Sequence, residues 1–589
     1  MGFFAPTNAQ AWTGTLKKFK FGFGQSICGT NPFDLDTDGN QKPIELCVIG
    51  QNLVDGGRIG SSVYNIEKVT TDITNNLIST INDQSSSFWV AGGLEDGGNP
   101  QKGGTGYQLL HSSTISPANR KVYTFLSGTS GIELSSDGSA QLTEGNTAIT
   151  KTLLGNAAMS DAQRSILINY LRGGNTTNSS CADATTSTPC NAWRDWPHAG
   201  IVHSSPRIVA YDGRPRDTSS GMTACQGSTS ATQDPRKQWV YYLTHDGMLH
   251  AVDTCDGSEQ WTFYVEEVLG AAQALLSNVA GPLIEIADGP VTILSNDVNR
   301  DGVIDRTQGD FVYLYFGMHR GGRGYYALDI TVPDAPKLLW KISNTSICSG
   351  ASCSASTDYA ELGYTFSALT PAKLTKLTTD TSTSLYTLAL IGGGGYDLNQ
   401  DATTVSSRDT MGRAVWVIDA LTGALIRKLA NGIPAASGGT IAGMDWSIPS
   451  DVAVINSDQD GQAFTDRLYV GDTAANLWRF DIGNSDPTRW TGKLLASLSS
   501  SSSLSANSPD RKVHFAPVAV KLQFKGERYD GVFVGTGDIQ HPTKIMNDAD
   551  PKNGMFMIKD KGIGTSATTD TTVYTTNDLV NVSAIDTVT

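Results

Sequence analysis

Oxygen-bearing side chains alternate along the stretch DVNRDGVID, residues 297–305. Acidic and amide residues stand at its first, third, fifth and ninth positions, and Gly302 stands at the sixth. A Ca²⁺ ion takes roughly six to eight oxygen ligands, which alternating carboxylates and carboxamides can wrap around one point. The glycine permits a sharp turn, and the valine after it offers its backbone carbonyl. We therefore predict a calcium loop whose ligands are Asp297, Asn299, Asp301, Val303 and Asp305.

This loop differs from that of an EF-hand. The twelfth position is Gln308 rather than the bidentate glutamate, and strand-like sequence stands on both sides. We therefore expect a nine-residue loop between strands, with Asp305 completing the coordination directly or through water. The alternative is an ordinary Asp/Asn/Gly turn that binds no metal.

The stretch FDLDTDGNQKPIELC is a second candidate calcium loop. Its ligands would be Asp34, Asp36, Asp38, Asn40 and Glu45, which match a twelve-position loop and its terminal glutamate. Pro43 and the strand-like sequence after it are not typical of an EF-hand. A third stretch, with Asn456, Asp458, Asp460 and Asp466, has Phe464 at its ninth position. There a solvated turn is the favoured interpretation.

Two groups of residues contain residue types found in a hydrolase triad but lack the sequence features that accompany one. His203 precedes two serines, and His245 precedes Asp246, but no nucleophile elbow or oxyanion hole accompanies them. The run GGGG at 392–395 opens no helix and ends in no lysine, so it is not a phosphate loop. The sequence therefore predicts no catalytic residues and no enzyme activity.

The composition is that of a turn-rich β protein. Of the 589 residues, 62 are glycine and only 17% are charged, and the net charge is −15. The absence of any Lys/Arg-rich run argues against a nucleic-acid partner. No segment has the roughly 20 apolar residues of a transmembrane helix. The first residues do not read as an export signal, so we expect one to have been removed or to lie upstream.

The eight cysteines fall into four neighbouring pairs along the chain, and none forms a CxxC motif. The simplest interpretation is four sequential disulfides, which implies an oxidising compartment and passage through the periplasm or secretion. The predicted pairs are Cys28–Cys47, Cys181–Cys190, Cys225–Cys255 and Cys348–Cys353.

The elements that position these residues belong to a repeated phrase: an apolar strand, a glycine turn, a second apolar strand ending in aspartate, and a turn. Radial repetition of such antiparallel sheets gives a β-propeller. The copies span residues 240–263, 311–330, 388–429, 467–482 and 531–562. The aspartates that end the equivalent strands, and that we expect to accept amides of the following turns, are Asp253, Asp329, Asp419, Asp481 and Asp560.

We predict an all-β fold, a β-propeller with loop insertions and a few short helices. One helix begins near Ser160 and stops at Gly173, and another lies near Glu266. Clear repeats are few before residue 195. We therefore divide the chain into an N-terminal region, 1–195, that packs on or completes the propeller, and the propeller itself, 196–589.

Several phrases together resemble the PilC/PilY family. They are WTGTLKKF, GIVHSSPRIV, YLTHDGMLHAVDTCDGSEQW, NDVNRDGVIDR, RLYVGDTAANLWRFD and FVGTGD, in this order. Members of that family are exported proteins associated with the tip of type IV pili. The resemblance implies a modified seven-bladed propeller whose calcium loop influences pilus extension against retraction. It assigns the family's calcium ligands to the same five residues of 297–305.

Three functions follow as hypotheses. The first is a calcium-binding pilus tip or biogenesis module that contacts minor pilins, lies outside the cell after export, and supports twitching motility. In the full-length protein it would also support adhesion to host or abiotic surfaces. The second is a quinoprotein dehydrogenase, since those enzymes also combine propellers with calcium, although the vicinal cysteines common in them are absent here. The third is a secreted glycan-binding propeller.

Overall fold

The computed structural model describes most of the chain. The described residues are 2–4, 7–8, 13–23, 45–48, 66–71, 77–81, 89, 99–176, 191–212, 237–277, 283–402, 405, 407–435, 438–458, 461, 463–499, 511–541, 553–562 and 572–580. They fall into two compact units. Unit 1 comprises Met1–Tyr313 and Asp329–Lys337, and unit 2 comprises Leu314–Leu328 and Leu338–Thr589.

Unit 1 is built around one five-stranded sheet of order β8-β12-β11-β10-β9. Its neighbouring strands are antiparallel except β8, which lies parallel to β12. The strands of unit 1 are β1 (Gly2–Phe4), β2 (Thr7–Asn8), β3 (Thr13–Gly14), β4 (Lys17–Phe23), β5 (Glu45–Val48), β6 (Ile66–Thr71), β7 (Leu77–Ile81), β8 (Val122–Thr124), β9 (Arg207–Ala210), β10 (Gln238–Leu243), β11 (Met248–Asp253), β12 (Glu259–Tyr264) and β13 (Val291–Asn296).

The chain passes between the units within β14 (Phe311–Gly317), at the end of β15 (Gly324–Asp329) and at the start of β16 (Lys337–Ser343). Unit 2 contains a four-stranded sheet, β19 to β22 in order, a five-stranded sheet of order β23-β24-β25-β26-β30, and a three-stranded sheet, β27 to β29. Its strands are β17 (Ser346–Ser349), β18 (Ser352–Ala355), β19 (Thr370–Thr375), β20 (Tyr386–Gly393), β21 (Val415–Asp419), β22 (Leu425–Leu429), β23 (Ala453–Ile455), β24 (Arg467–Gly471), β25 (Asn476–Asp481), β26 (Thr491–Ser497), β27 (Val518–Phe524), β28 (Glu527–Gly535), β29 (Met555–Asp560) and β30 (Tyr574–Thr575).

Helices are short in the described part of the chain. They are α1 (Gly104–His111), α2 (Asp161–Leu171) and α3 (Val268–Ser277), with single 3₁₀ turns at Gly138–Ala140, Arg306–Gln308, Leu398–Asp401, Pro487–Arg489 and Thr576–Asp578. Helix α2 begins as predicted, with Ser160 as its N-cap and a reciprocal bond to Gln163. Helix α3 is the second predicted helix, whereas α1 was not predicted, because its sequence GTGYQLLH begins with glycines.

The repeated phrase forms the strands that the sequence predicts. All five aspartates named above are the last residues of their strands: β11, β15, β21, β25 and β29. Four of them accept an amide of the following turn, for example the Asp253 carboxylate from Cys255 at 2.8 Å and the Asp419 carboxylate from Thr422 at 2.8 Å. Asp481 is the exception. Its carboxylate contacts the guanidinium groups of Arg467 and Arg479, which are charged donors that replace the turn amides.

Strands β24 and β25 have apolar side chains on both faces. Leu468, Val470 and Trp478 pack in one cluster with residues of β20 and β21. Tyr469 and Leu477 pack in another with residues of β28 and β29. A sheet whose two faces are covered by neighbouring sheets is the packing of a propeller blade, and it explains why apolar residues stand at consecutive positions of these strands, such as Leu468–Val470 and Leu477–Trp478.

The predicted fold class, an all-β propeller with insertions and a few short helices, is confirmed. The seven-blade count and the boundary at residue 195 stay predictions. The predicted Cys348–Cys353 disulfide is present, and Cys255 is also disulfide-bonded. The other three predicted pairs each include a cysteine outside the described residues. Over that described part, no helix has the length and apolar character needed to cross a bilayer.

Candidate functional site

The predicted calcium loop follows β13 and turns on the side chain of Asp297. Its Oδ1 accepts the amide of Arg300 at 2.6 Å, and its Oδ2 accepts the amide of Gly302 at 2.8 Å. Gly302 has a φ of 81°, in the left-handed region where a Cβ would be strained. The turn predicted at this glycine is therefore present, and the loop backbone is folded around its first predicted ligand.

Asn299 and Asp301 lie on the same turn. Asn299 Nδ2 donates to Asp301 Oδ2 at 3.0 Å. Each side chain also accepts an amide two residues further on: Asn299 Oδ1 from Asp301 at 3.1 Å, and Asp301 Oδ1 from Val303 at 2.8 Å. These local bonds are the usual contacts of Asx turns, and they hold the polar side chains of the third and fifth positions against the loop.

Asp305 is placed differently from the other predicted ligands. It caps the 3₁₀ turn Arg306–Gln308, and its Oδ1 accepts the amide of Thr307 at 2.9 Å and the hydroxyl at 2.8 Å. These bonds from Thr307 hold the pKa of Asp305 below its ordinary value. The carboxylates of Asp297, Asp301 and Asp305 do not gather within 4.8 Å of one another. The ninth position of calcium loops often binds through a water, and this placement of Asp305 suits that role.

Asp310, which the sequence reading missed, joins the two sides of the loop. It is almost fully buried, and its Oδ1 accepts the amide of Val298 at 2.8 Å while its Oδ2 accepts the amide of Asp305 at 2.9 Å. Beyond the loop, Arg306 donates to both oxygens of Asp329 at 2.7 Å. The loop is therefore fixed at both ends by buried carboxylates.

The loop also contacts the chain that follows β9. Ile304 donates its amide to the carbonyl of Tyr211 at 2.9 Å, and Val303 forms an isolated antiparallel bridge with Asp212. The side chain of Arg207, in β9, donates to the carbonyl of Val291, the first residue of β13. Strand β9 and strand β13 thus run side by side, and the loop is held where both end.

The structure describes the other two candidate calcium loops to different extents. The second lies outside the described residues apart from the backbone of Glu45, which begins β5, and its ligand assignment stays a prediction. In the third, Asp466 accepts the amides of Ser457 and Asp458 at 2.6 and 2.9 Å. Burial raises the pKa of Asp466. That carboxylate closes a turn, which agrees with the interpretation as a turn.

The residues considered above as elements of a hydrolase triad make other contacts. The hydroxyl of Ser204 accepts the amide of Leu243 at 2.9 Å, and His203 Nδ1 lies 2.8 Å from Asp288 Oδ2. His245 Nδ1 lies 3.2 Å from the carbonyl of Gly200. Ser204 and His245 hold backbone segments, whereas His203 contacts a side-chain carboxylate, and none of these contacts joins a serine hydroxyl to a histidine.

A buried polar network, also missed by the sequence reading, lies within unit 1. Arg120 donates to both oxygens of Glu259 at 2.6 and 2.7 Å, and His250 Nδ1 lies 2.9 Å from Glu259 Oε2. Burial opposes the ionisation of Glu259, but Arg120 and His250 outweigh it and hold its pKa well below the usual range. Arg120 and Glu259 stand 139 residues apart, so sequence spacing gives no sign of the pair.

A cavity of about 600 Å³ opens in unit 1 beside this network. Tyr170, Arg194, Trp196, His198 and Asp246 contribute to its wall. The guanidinium of Arg194 donates to the carbonyls of Tyr170, Trp196 and Pro197 at 3.2–3.3 Å. Its donors therefore fix the chain segments around the cavity.

Comparison with known proteins agrees with this architecture. A family model described as the PilY1 beta-propeller domain matches residues 201–509, just over half of the chain. The type IV pilus biogenesis factor PilY1 of Pseudomonas aeruginosa strain UCBPP-PA14 is 30% identical over 300 residues, which are 48% of this chain and 21% of that protein. A PilY1 homologue of Xylella fastidiosa strain Temecula1 is 28% identical over 343 residues, 55% of this chain and 20% of that protein.

Among solved structures, the crystal structure of the Pseudomonas aeruginosa PilY1 C-terminal domain is 22% identical and has a TM-score of 0.41. That match covers 63% of this chain and 68% of the other. This chain spans only about a fifth of the length of the curated relatives it matches. The matched region includes strands β9 to β26 and the candidate calcium loop. The chain belongs to the family of the PilY1 β-propeller domain.

Proposed function

We propose that this chain is the calcium-binding propeller module of a type IV pilus biogenesis protein, located at the pilus tip outside the cell, and that it is not an enzyme. The family match and the names of its relatives, both type IV pilus biogenesis factors, support the pilus role. The Cys348–Cys353 disulfide and the bonded Cys255 support passage through an oxidising compartment.

The observation that carries the calcium assignment is the turn around Asp297. Its two carboxylate oxygens take the amides of Arg300 and Gly302, while Asn299 and Asp301 lie on the same turn. A loop that is already folded on its first, third and fifth positions loses little conformational freedom when it binds an ion. The donor set is oxygen-only, which suits Ca²⁺ better than a transition metal.

Each residue of the loop would have its own role in binding the ion. Asp297, Asn299 and Asp301 would offer side-chain oxygens, Val303 its carbonyl, and Asp305 a carboxylate through water. Bound calcium would supply the positive charge that offsets the repulsion of the three aspartates. Asp310 and Arg306 would hold the loop ends in place.

Calcium occupancy would then change the charge that the loop after β13 presents. A partner that binds the calcium-bound loop better than the empty one shifts with calcium, because only a differential affinity can couple two binding events. We propose that minor pilins are such partners, and that calcium thereby favours pilus extension over retraction. Adhesion and twitching motility would follow in the full-length protein.

A pull-down with purified pilus-tip components tests this proposal. The wild-type chain should retain minor pilins better in calcium than in chelator. Asp297→Ala should behave in calcium as the wild type does in chelator. Asp458→Ala, from the third loop, is the matched control and should retain the calcium effect. Retention that is equal in calcium and chelator for the wild type would contradict calcium-regulated partner binding.

The alternatives have equally direct tests. A quinoprotein would develop a visible absorption band when a quinone cofactor is added to the purified chain, and we expect none. A glycan-binding propeller would give a reproducible signal on a glycan array.

A further inference from the structure

A second cluster of metal-ligating side chains lies within unit 1, away from the calcium loop. His203, Glu285 and Asp288 each present one ligand atom, and these atoms lie within 4.8 Å of one another. His203 Nδ1 and Asp288 Oδ2 are 2.8 Å apart. The side chain of Asp288 is fully buried, that of Glu285 is half-buried, and that of His203 is 38% exposed. The cluster therefore has a buried floor and an open side from which an ion can enter.

Two short segments bring these residues together, and both are fixed by the backbone. His203 lies just before β9, where the next hydroxyl, of Ser204, accepts the amide of Leu243. Glu285 and Asp288 lie just before β13. Between them, Ile286 donates its amide to the carbonyl of His245 at 2.8 Å, and Ala287 forms a parallel bridge with Asp246. Both segments are thus held against the end of β10 and the turn between β10 and β11. The backbone therefore fixes the positions from which the three ligand side chains extend.

The donor set selects the class of ion. One imidazole nitrogen and two carboxylates suit a borderline divalent ion such as Zn²⁺, whereas Ca²⁺ and Mg²⁺ prefer oxygen alone. Two ligands of a tetrahedral zinc ion lie about 3.3 Å apart. The observed 2.8 Å between His203 and Asp288 therefore needs only a small opening, with loss of the proton that joins them.

We propose that His203, Glu285 and Asp288 bind a divalent transition-metal ion of the Zn²⁺ class. The ion fastens the segment that enters β9 to the segment that enters β13. At the far end of β9, the carbonyl of Tyr211 accepts the amide of Ile304, which lies in the loop that follows β13, at 2.9 Å. The site is separate from the calcium proposal, since it uses none of the loop residues.

The experiment is a calorimetric titration of the chelator-treated full chain with Zn²⁺ in the presence of millimolar Ca²⁺. A parallel titration with Co²⁺ is followed by visible absorption, which reports coordination directly. The wild type should bind Zn²⁺ and develop cobalt bands. His203→Gln and Asp288→Asn should each bind more than about ten-fold more weakly, because even residues that merely support a ligand cost that much.

His541→Gln is the matched control. His541 Nδ1 also lies beside a carboxylate, Asp538 Oδ2 at 3.1 Å, but without a third ligand in its described surroundings. This variant should bind Zn²⁺ as the wild type does, and so should Asp297→Ala. Should Asp288→Asn fail to fold, His203→Gln, at a partly exposed position, still decides the matter. Zinc affinity and cobalt spectra that are the same in His203→Gln and wild type would overturn the proposal.

Discussion

Asp310 Oδ2 accepts the backbone amide of Asp305 at 2.9 Å, across a turn of five residues. The other oxygen of the same carboxylate accepts the amide of Val298. Because Val298 follows the first predicted calcium ligand and Asp305 is the last, one buried carboxylate sets the distance between the two ends of the loop. Asp310 is therefore a positioning residue for the proposed calcium site.

Asp310→Asn should weaken calcium binding by about 10- to 100-fold, the usual cost of losing a group that orients metal ligands. An asparagine has only one acceptor oxygen, so one of the two amides would face an NH₂ group. The measurement is calorimetric titration with Ca²⁺. Asp358→Asn, at an exposed position, is the control and should leave the affinity unchanged. An unaltered affinity in Asp310→Asn would remove the positioning role.

Arg479 joins two neighbouring sheets of unit 2 through buried charges. Its Nη1 lies 2.8 Å from Asp560 Oδ1, and its Nη2 lies 3.0 Å from Asp481 Oδ2. Removing one partner of such a pair leaves a buried charge uncompensated, so Arg479→Met should lower the free energy of unfolding by about 3–5 kcal/mol. Urea denaturation measures the loss.

The control for that change is Arg489→Met. Arg489 is 73% exposed and lies 3.6 Å from Asp486, so its loss should change the free energy of unfolding by no more than about 1 kcal/mol. Equal losses for Arg479→Met and Arg489→Met would show that the buried cluster contributes no more than a surface ion pair.

His198 makes stability depend on pH. Burial lowers the pKa of His198, and the neighbouring His250 lowers it further, so that it falls from 6.5 to about 3. Between these values the unfolded chain binds a proton that the folded chain does not. The stability that His198 contributes is therefore complete above pH 6.5 and falls as the pH drops towards 3, by up to about 1.4 kcal/mol per pH unit.

His198→Gln should show a smaller loss of unfolding free energy than the wild type over that window. Glutamine can accept the hydroxyl of Tyr242, as His198 Nε2 does at 2.8 Å, but does not titrate. Urea denaturation at pH 7, 5.5 and 4 measures both proteins. Curves that stay parallel over this range would contradict the assignment.

Much of the fold could be predicted from local patterns in the sequence. The repeated strand–turn–strand phrase correctly predicts that Asp253 and Asp419 end strands, because each accepts an amide two or three residues away. Asp481 escapes this rule, since its partners depend on how the neighbouring strand brings Arg467 to it. Likewise the turn at Gly302 could be predicted, because it is set by residues within one loop.

Pairings between residues far apart in the chain could not be predicted from the sequence. His203 and Asp288 stand 85 residues apart, and each alone is unremarkable in the sequence. Asp310 lies beyond the nine positions that define the loop, so its two bonds to loop amides were invisible to a motif. The first pairing forms because the segments before β9 and β13 lie close together, and the second because the chain folds back beside the loop before β14 begins.

The central claim is that the loop of residues 297–305 binds calcium, and a calorimetric titration of the chelator-treated chain with Ca²⁺ tests it most directly. Asp297→Ala removes the residue around which the turn folds, and Asp36→Ala probes the second candidate loop separately. We predict that Asp297→Ala loses one calcium site that the wild type and Asp36→Ala retain. Calcium binding of the same stoichiometry and affinity in wild type and Asp297→Ala would contradict the account.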